Sequence, residues 1–332
     1  MDLKDVKIFI GPVSKNIVDT VIDLIIKEDY KIGLIPSRRQ IDWNGGYVNN
    51  WNTKTFSQYI LDHLPYEKLD NIIIERDHGG IGQGINSDNG TISYYKDALN
   101  FPKSTTNIIH VDPWKYYNNF RNSINETIEN IKFINMINPY CFFEVGTEES
   151  IYQFDESMLN NMLKTLKIEL GKTFDKIKYC VIQSGTGLKE TKNVGEFDLN
   201  RLKNMIKICN NYGILSKEHN GDYLTLDDIK LKFDNGLSAI NIAPEFGVYE
   251  TEILLENMKD YQIDKFFNIC YNSNKWCKWV DEDFNPDENR IELMRICGHY
   301  QFSDKNFLKM KLNLDNLIKE KLYIKIKNMC EL

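Results

Sequence analysis

The chain contains five histidines, His63, His78, His110, His219 and His299. Three of them stand beside carboxylates in short polar stretches that each close an apolar run: Arg76-Asp77-His78-Gly79-Gly80, His110-Val111-Asp112 and Lys217-Glu218-His219-Asn220. A fourth stretch, Glu144-Val145-Gly146-Thr147-Glu148, ends another such run. Imidazole and carboxylate together suit zinc or another divalent ion, and such a site becomes catalytic when it keeps a coordination position open. His78 and His219 are the first-choice imidazole ligands and Glu144 the carboxylate ligand; hydrogen bonding of both histidines to loop backbone is the competing reading. For His110, a structural role and ligation carry equal weight. Asp77 has two roles open to it. It can act as general acid/base next to the ion, or it can orient a ligand imidazole through the ring's other nitrogen. Neighbouring residues on a strand point to opposite faces, so Asp77 and His78 can share a site only if the chain turns at Gly79-Gly80.

Groups suited to an anionic substrate lie in comparable places. Gln183-Ser184-Gly185-Thr186-Gly187 offers backbone N–H groups and hydroxyls that could cradle a phosphate or hold a ketose, or could form an ordinary loop. Arg38 and Arg39 suit a bidentate clamp on phosphate or carboxylate, or a solvated loop. Other signatures are missing. Gly80-Ile81-Gly82-Gln83-Gly84 lacks the spacing of a dinucleotide fingerprint, and the sequence has no GxSxG elbow, Walker A lysine motif or HExxH helix.

The elements that must hold these groups follow from the apolar pattern. Eight β-branched runs recur: Val6 to Val13, Lys31 to Pro36, Asn71 to Glu75, Asn107 to Val111, Tyr140 to Val145, Ile177 to Ile182, Ile214 to Ser216 and Ser238 to Ala243. Amphipathic stretches such as IVDTVIDLIIKE and SMLNNMLKTLKIEL lie between them. Strands alternating with helices imply parallel pairing through right-handed crossovers. Strands apolar on both faces need cover on each side. Eight units predict a (β/α)8 barrel over residues 1–261, with a doubly wound open sheet as runner-up. Residues 262–332 are aromatic-rich and then amphipathic, and predict a helical extension packed on the barrel. Barrel enzymes carry their chemistry at the C-terminal ends of the strands, where six of the eight runs here end in reactive residue types.

Composition bounds the rest. The 332 residues include 41 Lys+Arg and 48 Asp+Glu, a net charge of −7, and 42% are apolar. Such a chain can bury a large core; disorder and a disulfide scaffold are excluded, and the acidic balance argues against a nucleic-acid partner. No run approaches the ~18 apolar residues of a membrane span. Seven cysteines lie scattered without a CxxC pair, and the N-terminal MDLKDVKIFIGP has no signal-peptide pattern. A cytoplasmic protein with reduced thiols and no membrane partner is expected.

In order along the chain, these motifs resemble the Z-subunit family of tagatose-bisphosphate aldolases, a branch near the class II ketose-bisphosphate aldolases. IPSRRQIDWNGGY is similar to the family's E-A-T-S-N-Q-V-N-x-x-G-G-Y, RDHGG to G-G-D-H-L-G-P, and HVDPW to H-L-D-A-S. FEVGTEE closely matches E-V-G-T-E, VIQSGTG with GEFD resembles V-V-Q-P-G-V-E-F-D, and KEHNGDYL resembles E-A-H-S-T-D-Y. The resemblance implies a (β/α)8 barrel with a divalent ion at its rim, most simply zinc, with manganese or cobalt as alternatives. It matches Asp77 and His78 to the acid/base aspartate and metal-binding histidine of a D-H pair. It matches Glu144 to the strand-five glutamate, and Glu218, His219 and Asp222 to the E-A-H-S-T-D-Y segment. Glu218 is thereby a second catalytic candidate. Asn241-Ile242-Ala243 resembles an N-I-x-T-D segment, which makes Asn241 a substrate-binding candidate alongside Arg38, Arg39, Gln183, Ser184 and Gly185. The sequence departs from the family at Arg76, Pro113-Trp114 and Pro244-Glu245, so the sugar need not be tagatose 1,6-bisphosphate.

Three functions are consistent with this. The leading one is a metal-dependent aldolase acting on a phosphorylated ketose and a small aldehyde. The second is an epimerase of a ketose or keto-sugar acid at the same site. The third is a non-catalytic partner of a separate aldolase subunit, and self-association into a homo-oligomer is compatible with all three.

Overall fold

Each apolar run forms a short strand, and the residues between them form the helices that cover it. The computed structural model describes residues 2–84, 90–117, 119–147, 155–189 and 191–332. Glu148 of the fourth polar stretch lies outside the described residues. Eight strands close into a parallel barrel: β1 (Ile8–Ile10), β2 (Ile32–Leu34), β3 (Ile72–Gly79), β4 (Thr106–Val111), β5 (Phe142–Gly146), β6 (Ile177–Val181), β9 (Leu215–Glu218) and β10 (Ala239–Ile242). Their order around the barrel is β1-β10-β9-β6-β5-β4-β3-β2, so β1 pairs with both β2 and β10. Closure removes the sheet edges and decides against an open sheet. An antiparallel hairpin, β7 (Thr186–Lys189) and β8 (Lys192–Gly195), follows β6. It was not expected, because its residues are polar and lack the alternation that marks a half-buried strand.

Strand parity sorts the side chains into layers. Phe9, Ile73, Ile108, Tyr179 and Ala239 fill the lower barrel interior as one apolar cluster. Two residues further along their strands stand Glu75, His110 and Asn241, all buried. Leu215 packs on the same cluster, and the same parity carries the interior line up through Lys217 to His219. The outward-facing residues, Ile8, Ile10, Ile72, Ile74 and Ile109 among them, meet the helices in the main core.

Helix starts follow ordinary capping chemistry. Ser14 caps α1 (Lys15–Glu28) through the Ile17 N–H, and Asn52 forms a capping box at α2 (Thr53–His63). After α8 (Pro244–Asn257) come α9 (Asp260–Asn272), α10 (Arg290–Cys297), α11 (Lys305–Leu308) and α12 (Asp315–Cys330). Helix α9 begins two residues before position 262, and residues 273–289 form no long helix. Helix α12 lies against α1 and α8, tied by Tyr323 and Lys327 to Glu28 at 2.7 and 2.8 Å. Among the described residues no helix is long and apolar enough to cross a membrane.

Candidate metal centre at the barrel rim

The polar stretches converge at the C-terminal ends of the strands. Strand β3 pairs Arg76 with Ile109 and Gly79 with Val111, so it holds one residue more than its partner over that interval. This is a β-bulge, a device that re-aims a side chain. His78 sits within it at φ 44°, in the left-handed region. The bulge brings Asp77 and His78 to the same site, a turn that the sequence alone places one or two residues later, at the glycines.

Asp77, His78, His110 and His219 offer potential ligand atoms that all lie within 4.8 Å of one another. The three imidazoles form a near-equilateral triangle, with ring centroids 5.2, 5.1 and 5.0 Å apart. His78 Nε2 stands 3.5 Å from His219 Nδ1, and Asp77 Oδ1 lies 3.7 and 3.6 Å from those two atoms.

Each ring has its remote nitrogen bound to an acceptor. His78 Nδ1 donates to Asp112 Oδ2 at 2.7 Å, and Gln83 Nε2 steadies the same oxygen from 3.0 Å. His219 Nε2 donates to Glu144 Oε1. His110 Nε2 donates to the carbonyl oxygen of Gly146 at 3.0 Å. A carbonyl cannot donate, so the proton is on Nε2 and Nδ1 carries the lone pair. His110 Nδ1 is buried and has no hydrogen-bond partner. Burial pushes this imidazole below its ordinary value, against the pull of Glu144 and Asp112, and so keeps it neutral.

Behind His219 lies a buried ion cluster. Lys217 Nζ donates to Glu75 Oε2 and Glu144 Oε2, each at 2.7 Å, and lies 3.9 Å from the centre of the Phe9 ring. Burial alone would lower the Lys217 ammonium, but Glu144 and Glu75 outweigh it and hold it above its usual value. Burial would likewise raise Glu144, yet Lys217 and His219 hold its carboxyl well below the usual range. Glu75 goes the other way: burial and the neighbouring Glu144 charge raise it, while Lys217 pulls against them. The cluster thus sets one ammonium between two carboxyl groups shifted in opposite directions, which limits the cost of burying it.

The remaining sequence candidates fall in different places. Asn241 joins the rim, with Nδ2 3.4 Å from Asp77 Oδ1 and Oδ1 buried without a partner. Glu144 faces the interior, but both its oxygens are engaged, by His219 and Lys217. Glu218 has the parity opposite to His219 and points into the helix layer, where it accepts from Lys232 at 2.6 Å and from the Ser184 N–H at 2.8 Å. The Ser184 hydroxyl accepts from Lys232 at 2.9 Å in the same layer. Gly185, at φ 102°, opens the β7–β8 hairpin against the Glu196 carbonyl, and the Gln183 amide donates to Thr186 O at 3.3 Å. Arg38 is buried, and its guanidinium binds Asp42 at 3.0 Å and the Gly80 carbonyl, holding the loop after β2 to the Gly79-Gly80 turn. Arg39 is half-buried at the rim. Asp222 accepts from the Ala243 and Glu245 N–H groups at 2.9 and 2.7 Å and so holds the start of α8.

The donor set fits a divalent ion: three imidazoles each bonded through one ring nitrogen, an adjacent carboxylate, and one buried ring nitrogen without any other partner.

No family model matches the chain, and no curated protein matches its sequence. Solved structures do resemble it. A probable tagatose 6 phosphate kinase from Sinorhizobium meliloti superposes with a TM-score of 0.72 at 13% identity, over 97% of this chain and 93% of that one. The fructuronate-tagaturonate epimerase UxaE from Cohnella laeviribosi superposes with 0.60 at 9% identity, over 98% and 81%. The YdjI aldolase from Escherichia coli superposes with 0.53 at 12% identity, over 93% and 91%. At these identities the shared property is the barrel fold.

Proposed function

We propose that the chain is a divalent-metal-dependent lyase that makes or breaks a C–C bond in a phosphorylated ketose. One observation carries this reading: three histidines at the barrel rim each have one ring nitrogen bound to an acceptor, and each brings a ring nitrogen within 4.8 Å of the others and of an Asp77 oxygen. His78, His110 and His219 would hold the ion. Both oxygens of Glu144, first expected to be a ligand, are already engaged, and its part is to set the tautomer and orientation of His219. When bound, the ion would supply a Lewis acid that polarises the ketone and its neighbouring hydroxyl.

Asp77 is the acid/base. In the cleavage direction it takes the proton of the substrate hydroxyl, that oxygen becomes the carbonyl of the aldehyde fragment, and the electron pair of the broken C–C bond passes into the ketone fragment. In the reverse direction Asp77 returns the proton. Asn241, against Asp77 Oδ1, fixes the carboxylate so that its other oxygen faces the substrate.

The test is purified protein loaded with zinc, manganese or cobalt, assayed on phosphorylated ketoses for release of an aldehyde. Asp77→Asn should retain the metal and lose at least about a thousandfold in kcat, the combined scale of a lost proton-transfer group and its charge. A fully active Asp77→Asn would sink the role. Turnover that yields only an isomer would assign the site to epimerisation. Failure to take up any divalent ion would leave the accessory-subunit reading.

A further inference from the structure

A second cluster at the same rim has no part in the reaction just described. Residues between α9 and α10 fold back over the loops that follow β2 and β10, where they meet a cavity of about 170 Å³ lined by Ser37, Arg39, Pro244, Lys278, His299 and Tyr300 among others. The hairpin holds this segment and the start of α10: Lys189 binds Asp281 at 3.2 Å and Thr191 binds Glu292 at 3.1 Å. Backbone links tie the cavity wall to the candidate metal centre. Ser37 bridges to Asp77, whose N–H donates to Pro36 O at 3.2 Å. Pro244 lies three residues beyond Asn241, the partner of Asp77.

The cavity is cationic. The Lys278 ammonium lies 4.3 Å from the centre of the Trp279 ring and 5.0 Å from that of Tyr300. Among the described residues neither Lys278 nor Arg39 has a carboxylate within ion-pair distance. Lys278 is exposed at the cavity mouth; desolvation of its ammonium against the wall and the like charges of Arg39, Lys275 and Lys115 bring it down to about 8. Two cations thus line one cavity with no carboxylate of the described residues paired to either. That arrangement is expected where the missing anion comes from outside. The wall adds a neutral polar group: the His299 ring is buried, held near 3 by burial and Lys278, and its Nδ1 has no partner.

We infer that Arg39 and Lys278 form an anion subsite for the terminal oxyanion of the sugar, phosphate or carboxylate, at the end of the substrate remote from the ion. Arg39 supplies the planar fork and Lys278 a point charge on an aromatic wall. The inference rests on the reading of this rim as the site of an acidic open-chain sugar, and it makes the C-terminal segment part of substrate recognition.

Calorimetric titration of the full chain at low ionic strength with inorganic phosphate, and separately with acetate, tests it. The variants are Lys278→Met, Arg39→Met and, as control, the exposed Lys164→Met, with zinc uptake measured on each. Phosphate should bind the wild type and Lys164→Met equally and bind Lys278→Met and Arg39→Met at least tenfold more weakly, with zinc uptake and melting temperature unchanged. The same dependence for acetate rather than phosphate would assign the subsite to a sugar acid. Failure of both anions to bind, or affinities indifferent to Lys278 and Arg39, would overturn the subsite. Zinc uptake reports separately: if the wild type binds no zinc, the metal reading falls whatever the phosphate titration shows. If zinc binds and phosphate affinity ignores Lys278, only the subsite falls.

Discussion

His110 Nε2 donates to the carbonyl oxygen of Gly146 at 3.0 Å, across the β4–β5 pair. That bond makes a buried histidine into a prospective ligand, because it fixes the proton on Nε2 and leaves Nδ1 without a partner inside a cluster of two other imidazoles and a carboxylate. Most buried polar atoms find a partner, so an unpartnered ring nitrogen in such a cluster points to a missing one.

His110→Ala should therefore abolish metal binding as fully as His78→Ala or His219→Ala. Elemental analysis after dialysis against zinc should show near-stoichiometric metal in the wild type and, in each variant, at least a hundredfold weaker retention. Undiminished zinc in His110→Ala would return that residue to a structural role.

Asp112→Asn and Glu144→Gln act on the metal through His78 and His219. Loss of a carboxylate that orients a ligand imidazole typically costs about 10–100-fold in metal affinity. Competition with a chromogenic chelator should place both variants between the wild type and the histidine variants. An affinity equal to that of His219→Ala would instead point to direct ligation by Glu144.

Lys217→Met leaves a buried carboxylate without its cation, and breaking a buried pair from one side costs roughly 3–5 kcal/mol. Urea denaturation should show a loss of that size. The double variant Lys217→Met/Glu144→Gln should lose less than the sum of the two single losses, since the uncompensated charge is then gone. Strict additivity would mean that the pair does not interact.

Glu250, buried in α8 against Ser14 and Asn16 at the start of α1, is pushed up to about 7 by burial. Its folded value lies above its unfolded one, near 4.5, so between those pH values the folded chain holds the proton more tightly. Its contribution is full below pH ~4.5 and falls as pH rises through 7, by on the order of 3 kcal/mol for a shift of this size. Glu250→Gln should become progressively more stable relative to wild type from pH 4.5 to 8. Parallel pH profiles for the two proteins would contradict this origin of the slope.

Much of this site was legible in order of residues alone. Period-2 alternation along a strand carries the interior face from Ile73 to Glu75, from Ile108 to His110, and from Leu215 through Lys217 to His219, and eight β-branched runs separated by amphipathic stretches suffice for a barrel. The same alternation, applied strictly, assigns Glu218 to the helix layer, where it meets Lys232; treating Glu218 and His219 as companions ignored it. Arg38 and Arg39 are adjacent and alike in type, yet one is buried on Asp42 and Gly80 while the other lines the cavity. Local sequence cannot separate them, because their partners are supplied by distant loops.

Sequence by itself determined the number of barrel strands, the parity of the interior and which residue types reach the rim, since these depend on periodicities within a dozen residues. Tertiary structure decided the rest. It placed the extra residue of β3 that brings His78 beside Asp77, turned Glu144 toward Lys217 and His219, and laid Lys278 on the cavity that Arg39 lines. Each of these depends on register between strands or contact between remote segments, and those are set by closure of the whole barrel and not by any local preference of the chain.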